Sequence, residues 1–239
     1  MQARSQRSLH AEVVEAIARW LIEGRHGEGD VLPNELEIGE ELGVSRTVVR
    51  EAVRTLVAKG MLQVRRKTGT VVLAESEWSM FDGDVLAWRF RYKLDEPFVN
   101  DLFRFRAGME TFAAEVCAAN PDFDAPALID CCDRMERALA GEGDWFEADL
   151  AFHRMLLDGS GNRFLQHLTS MLENLFDALL SPEVLVAENM RLTLPRHRAV
   201  AHAIAAKDPE AAAETMRLLV AEAREDVLRR ISSDLGRGT

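Results

Sequence analysis

A mainly α-helical chain in two parts is what the sequence predicts: a small helical unit carrying a β-hairpin, then an all-α bundle. Three observations predict it. From Pro97 onward every long segment has its apolar residues at helical spacing. Residues 62–73 read as two short strands joined by a basic turn. Charge is also segregated: residues 1–77 carry 11 Lys/Arg and 12 Asp/Glu, whereas residues 78–239 carry 18 and 28, in a chain of net charge −11. At 239 residues the chain can form two modest domains. Roughly 70–75% of the unfolded surface can be buried at this size. Few Gly and Pro after residue 70, and a single Tyr, Tyr92, argue against a strand-rich fold.

The elements follow in order. Residues 1–8 are expected to be disordered. Leu9, Val13, Ile17 and Leu21, with Val14 and Trp20 beside them, make an amphipathic helix. Residues 24–30 form a turn, and Val31-Leu32 is a short strand placed to pair with the hairpin. Asn34 and Glu37 form an Asn version of the capping box, with Pro33 discouraging helix upstream. Leu36, Ile38 and Leu42 are expected to face inward, Gly43 to make the turn and Val44 to pack beneath it. Ser45 is an N-cap for a second helix. Its solvent side carries Arg46, Thr47, Arg50 and Arg54, and Val48, Val49, Val53, Leu56 and Val57 supply its apolar face. Gly60 ends it. Strands Leu62–Arg66 and Thr70–Leu73 then flank a loop, Lys67-Thr68-Gly69. Between Arg46 and Lys67 there are seven Lys/Arg and one acid, Glu51. A helix-turn-helix followed by a basic wing is built to set its second helix in the major groove of duplex DNA, with the loop at the backbone or minor groove. A surface hairpin with a solvated basic face is the plainer alternative.

The segments LPNELEIGEELGVSRTVVREAVRTLVAKGML and RKTGTVV resemble the GntR family of bacterial transcription regulators. The resemblance implies that Ser45, Arg46, Thr47 and Arg50 contact DNA, with Arg66, Lys67 and Gly69 of the wing nearby. Many relatives carry an Arg where this chain has Leu36, which removes one usual DNA contact.

A hinge at 74–80 runs into a linker over residues 78–92. Asp82 or Asp84 caps a short helix carrying Val85, Leu86 and Trp88. A D-x-D metal site is the weaker reading, since no third ligand is near. The stretch WSMFDGDVLAW resembles the linker of the subgroup typified by galactonate-operon repressors. In the bundle, residues 93–239, helices are expected over Val99–Val116, Leu128–Leu139, Asp144–Leu157, Arg163–Leu180, a fifth from about Val184 past Met190, Pro195–Ala206, and a last one to about Ile231. Asn120-Pro121 and Ser181-Pro182 are breaks. The DLAFH, SGN and RHRAVAHAIAAKDPEAA stretches resemble the FCD ligand-binding domain of the FadR-type branch of the GntR family.

Asp149 and His153, four apart, share one helix face. D-x-x-x-H alone is weak, because a buried His is usually just hydrogen-bonded. The FCD resemblance implies a divalent-metal set of Asp149, His153 and His197, whose fourth position falls on Leu219, which is no ligand. The remaining three could hold Zn²⁺ or Ni²⁺, with water or an effector carboxylate completing the shell. Arg106, in the family's R-x-x-x-E with Glu110, could grip the carboxylate of a small organic acid; a simple Arg–Glu helix pair is the other reading. Asn162 is expected to shape the helix entry near that pocket.

Cys117, Cys131 and Cys132 show no zinc spacing, and adjacent cysteines bridge each other only with strain. They read as free thiols in a reducing compartment. The N-terminus has no apolar signal core, and no run reaches membrane-spanning length, so a cytoplasmic protein is expected. The function expected is a homodimeric, DNA-binding regulator, most simply a repressor, controlled by a small carboxylate such as a sugar acid. The alternatives are a metal-dependent hydrolase using the Asp/His cluster and an architectural DNA binder without an effector.

Overall fold

The computed structural model describes residues 2–179 and 187–235. They fall into two compact units, Met1–Lys93 and Leu94–Thr239.

The first unit holds helices α1 (Gln2–Ile22), α2 (Glu35–Leu42) and α3 (Arg46–Ala58), strands β1 (Leu62–Arg65) and β2 (Gly69–Val72), a single 3₁₀ turn at Glu75–Glu77, and helix α4 (Gly83–Tyr92). Helix α1 already begins at Gln2, so residues 2–8 continue it instead of being disordered. Its Val13, Val14, Ile17 and Leu21 are buried, as its apolar spacing requires. Asn34 caps α2 in a full capping box: its side chain accepts from Leu36 N and Glu37 N, while the Glu37 carboxylate accepts from Asn34 N. At the α2–α3 turn, a Cβ on Gly39 would lie 2.8 Å from the Val44 carbonyl oxygen, so only Gly lets the turn close. Two inward assignments fail. Leu36 is 59% exposed and Val57 38% exposed. Residues two apart on a helix lie on opposite sides, so Leu36 cannot share a face with the buried Ile38. Val57 lies beyond the edge of the stripe formed by Val49, Val53 and Leu56.

The hairpin is antiparallel with Leu62 opposite Val72 and Arg65 opposite Gly69. Val31 bridges Val71, giving the third, minimal strand the sequence suggested. Asp82 caps α4, accepting from Asp84 N and Val85 N. Lys59 lies 2.6 Å from Asp82 and 2.8 Å from Asp84, so the D-x-D pair is occupied by an ammonium. Trp78, Val85 and Trp88 join Ile17, Leu56 and Met61 in one core, which makes α4 part of this unit.

The second unit contains α5 (Glu96–Ala119), α6 (Ala125–Leu139), α7 (Trp145–Gly159), α8 (Arg163–His167), α9 (Thr169–Leu179), α10 (Ala187–Ala205) and α11 (Pro209–Leu235). Helix α11 packs along α5 and α10, and α6 packs on α7 and α10. Leu128, Met135, Phe152, Leu156, Val200 and Met216 are among the fully buried side chains. The expected fourth helix is divided at Leu168, where the buried Thr169 turns its hydroxyl to Asp158 at 3.1 Å. Pro195, expected to start a helix, lies inside α10. Proline removes one intrahelical hydrogen bond, but Leu194, Val200, Ala201 and Ile204 bury one face of the same helix on both sides of it. The expected break at Ser181-Pro182 and the start near Val184 lie outside the described residues.

Candidate nucleic-acid interface and candidate metal centre

The Ser45 hydroxyl accepts from Val48 N at 3.4 Å, which fixes the start of α3. Arg46, Thr47 and Arg50 are exposed on the first turns that follow. Arg46 Nε donates to Glu35 Oε2 of α2 at 2.7 Å. Arg54, further along, is paired with Glu51 at 2.7 Å. Arg66 and Lys67 stand exposed in the hairpin turn, and Gly69 opens β2. The structure thus sets Ser45, Arg46, Thr47 and Arg50 together on the head of one helix, and Arg66, Lys67 and Gly69 together at the hairpin tip.

In the bundle, α7 supplies Asp149 and His153 and α10 supplies His197. One ligand atom from each lies within 4.8 Å of the others. His197 Nε2 is 2.8 Å from Asp149 Oδ1, and His153 Nε2 is 3.5 Å from the same oxygen. Neither Asp149 Oδ1 nor His197 Nε2 makes a hydrogen bond of acceptable angle, although both are buried. The opposite nitrogens face outward from the cluster. His197 Nδ1 donates to the Thr193 carbonyl at 3.0 Å, and His153 Nδ1 sits 2.5 Å from Glu110 Oε2. Fixing Nδ1 with a carbonyl or carboxylate while Nε2 points inward is how proteins orient imidazoles for a cation. The donor set of one carboxylate and two imidazoles therefore fits a divalent metal. Leu219 is buried and has no lone pair to offer.

Burial alone would raise the Glu110 and Asp149 carboxyls. The charges of Arg106 and His153 outweigh it at Glu110 and hold it at about 2. His197 and His153 hold Asp149 well below the usual carboxylate range. Burial disfavours charge on His153, but Glu110 and Asp149 outweigh it and raise the imidazole to about 9. Glu110, Asp149 and His153 thereby favour one another's charged forms inside the bundle.

Arg106 is 4% exposed, with Nε donating to Glu110 Oε1 at 2.6 Å and the guanidinium over the Phe103 ring at 5.2 Å. Glu110, completely buried between Arg106 and His153, makes the helix pair with Arg106 that the sequence offered, and adds a contact to His153 that the sequence did not suggest. The Arg-x-x-x-Glu spacing was its visible signal, but only the fold shows that His153 meets the same carboxylate. Asn162 is the N-cap of α8, its oxygen accepting from Phe164 N and Leu165 N. A separate open groove of about 460 Å³ is lined by Phe123, Asp124, Ala151, Arg154, Met155 and Asp158 among others.

The model of the FCD domain matches residues 101–222, more than half the chain, and that of bacterial regulatory proteins of the gntR family matches residues 9–72. The uncharacterized HTH-type transcriptional regulator YieP of Escherichia coli is 29% identical over 223 residues, covering 92% of this chain and 95% of that protein. The galactonate operon transcriptional repressor of E. coli is 28% identical over 213 residues, covering 87% and 92%. The solved structure of E. coli McbR/YncC superposes with a TM-score of 0.52 at 18% identity, over 93% of this chain and 98% of that one, a likeness of fold. With a capped basic reader helix, a wing and a helical bundle all present in that order, the chain belongs to the GntR family of bacterial regulatory proteins, in the FadR-type branch that carries an FCD domain.

Proposed function

We propose that this regulator, which is not an enzyme, reads a duplex operator as a cytoplasmic homodimer and represses transcription until a small organic acid binds its bundle. The division of labour is a DNA reader at 1–77, a linker segment at 78–92 whose helix α4 packs into the reader's core, and an effector-binding and dimerising domain at 93–239. The observation that carries the reading is the exposed head of α3. Ser45, Arg46, Thr47 and Arg50 lie exposed at a helix N-terminus where they can meet base edges and phosphates, and the wing adds Arg66, Lys67 and Gly69. One such helix reads too few bases for specificity, so two copies on paired half-sites are expected.

Asp149, His153 and His197 would hold Zn²⁺ or Ni²⁺, which supplies a Lewis-acid anchor for an effector carboxylate. Glu110 and Thr193 orient the two imidazoles from behind. Arg106, the residue assigned to grip the effector carboxylate, also keeps Glu110 ionised through its Nε contact, and Asn162 holds the α8 entry beside that pocket. The relative named for the galactonate operon favours a sugar acid as effector. Effector binding shifts the operator-competent population by its differential affinity, typically about 1–3 kcal/mol of coupling.

The test is a mobility shift on the DNA upstream of the protein's own gene. Arg46→Ala combined with Arg50→Ala is expected to weaken binding about tenfold or more, from ~1–3 kcal/mol for a base-reading Arg46 and the loss of a phosphate contact at Arg50. Undiminished binding by a folded double variant would overturn the assignment of α3 as the reader.

A further inference from the structure

Among the cations on the head of α3, Arg46 stands out because it is exposed and yet tethered. Its side chain is 70% exposed, but Nε donates to Glu35 Oε2 at 2.7 Å, and Glu35 is 28% exposed. Both residues are the first of their helices, Glu35 directly after the Asn34 cap of α2 and Arg46 directly after the Ser45 cap of α3. A carboxylate is stabilised at a helix N-terminus and a guanidinium is not. The pair therefore places each charge where α2 favours the anion and where α3 gains an anion beside its unfavourably placed cation.

Such an exposed pair contributes little to stability, since solvent screens it. Its consequence is geometric. A guanidinium has five donors in a rigid planar fork. With Nε engaged by Glu35, the two terminal nitrogens remain, and their orientation relative to α3 is biased by that contact. Two parallel N–H groups in that arrangement match the O6 and N7 acceptors of a guanine in the major groove. Arg50 one turn later has no ion-pair partner among the described residues, and so its guanidinium is free to follow a phosphate. The two arginines differ in restraint although they share a helix.

We infer that Glu35 is a positioning residue of the DNA reader: its carboxylate orients Arg46 for one base pair of each half-site, at the cost of a negative charge beside the phosphates. The inference rests on the DNA-binding reading above. It makes a prediction of opposite signs. A carboxylate near DNA repels the backbone, so removing its charge strengthens sequence-independent binding. If the same carboxylate orients Arg46, removing it must weaken discrimination.

The experiment is selection of duplexes from a random library by the full-length wild-type protein and by Glu35→Gln. Affinities are then measured for the wild-type consensus and for a scrambled duplex at one salt concentration. For Glu35→Gln the expected result is tighter binding to the scrambled duplex, a specificity ratio reduced about tenfold or more, and a relaxed preference at one position per half-site, the same position lost in Arg46→Ala. In the Arg46→Ala background the further change Glu35→Gln is expected to leave the ratio unchanged. A parallel rise in both affinities with the consensus intact would show an electrostatic pair only and would overturn the inference. Thermal unfolding of each variant separates these outcomes from misfolding, and Glu35→Asp, which keeps the charge, is expected to restore part of the ratio. Should the wild-type protein select no consensus at all, the DNA-binding reading itself fails, which is a distinguishable result.

Discussion

Asp149 is the residue on which the bundle's chemistry converges. Its Oδ1 lies within 3.5 Å of one nitrogen on each of His153 and His197. Asp149 Oδ1 and His197 Nε2 face each other at 2.8 Å without a hydrogen bond of good angle, an arrangement that a cation held by both would satisfy. The first expectation belongs here. Zinc added to the metal-free protein should raise its thermal midpoint, with a stabilisation of about 2.7 kcal/mol at a hundredfold excess over Kd. Asp149→Asn should abolish that gain; an equal zinc response in the variant would remove Asp149 from the site. The Asp149–His153 spacing was legible because i and i+4 share a face on any helix. His197 came from a family resemblance, and the contact of Glu110 with His153 was not legible because it joins residues 43 positions apart in the chain.

Helix α4 shows the same limit one level up. Its cap and apolar residues could be read locally, but not its membership in the reader's core. Gly60 closes α3 at φ 74°, and an added Cβ would lie 2.2 Å from the Glu77 carbonyl oxygen. Ser79 N donates to Lys59 O at 2.9 Å, and the Lys59 ammonium holds Asp82 and Asp84. These contacts fix the segment after the wing against the end of the recognition helix. Gly60→Ala is therefore expected to destabilise by about 1–3 kcal/mol, from backbone strain and the collision together. A lower urea midpoint with an unchanged slope would show it; a wild-type midpoint would mean that the close approach is not maintained in solution. Pro195 teaches the converse. Local propensity predicted a boundary, and continuous burial along α10 overrode it.

For the whole molecule, the distribution of charge decides how it meets DNA. A chain of net charge −11 has no long-range attraction for a polyanion, so binding must come from close phosphate contacts at the reader. Operator affinity should then fall steeply with salt, about a thousandfold or more between 50 and 200 mM for a dimer making 6–10 phosphate contacts. A nearly flat salt dependence would exclude the cationic reader as the main source of affinity. The sequence by itself determined the order of elements, their caps, the basic helix and wing, and the helical class of the bundle, because each depends on residues within a few positions of one another. Only the tertiary structure decided which side of α2 is buried, where Arg46 is tethered, what stands behind His153, and that α4 packs with the reader. Those outcomes depend on contacts between residues distant in the chain, whose free energy no local pattern encodes.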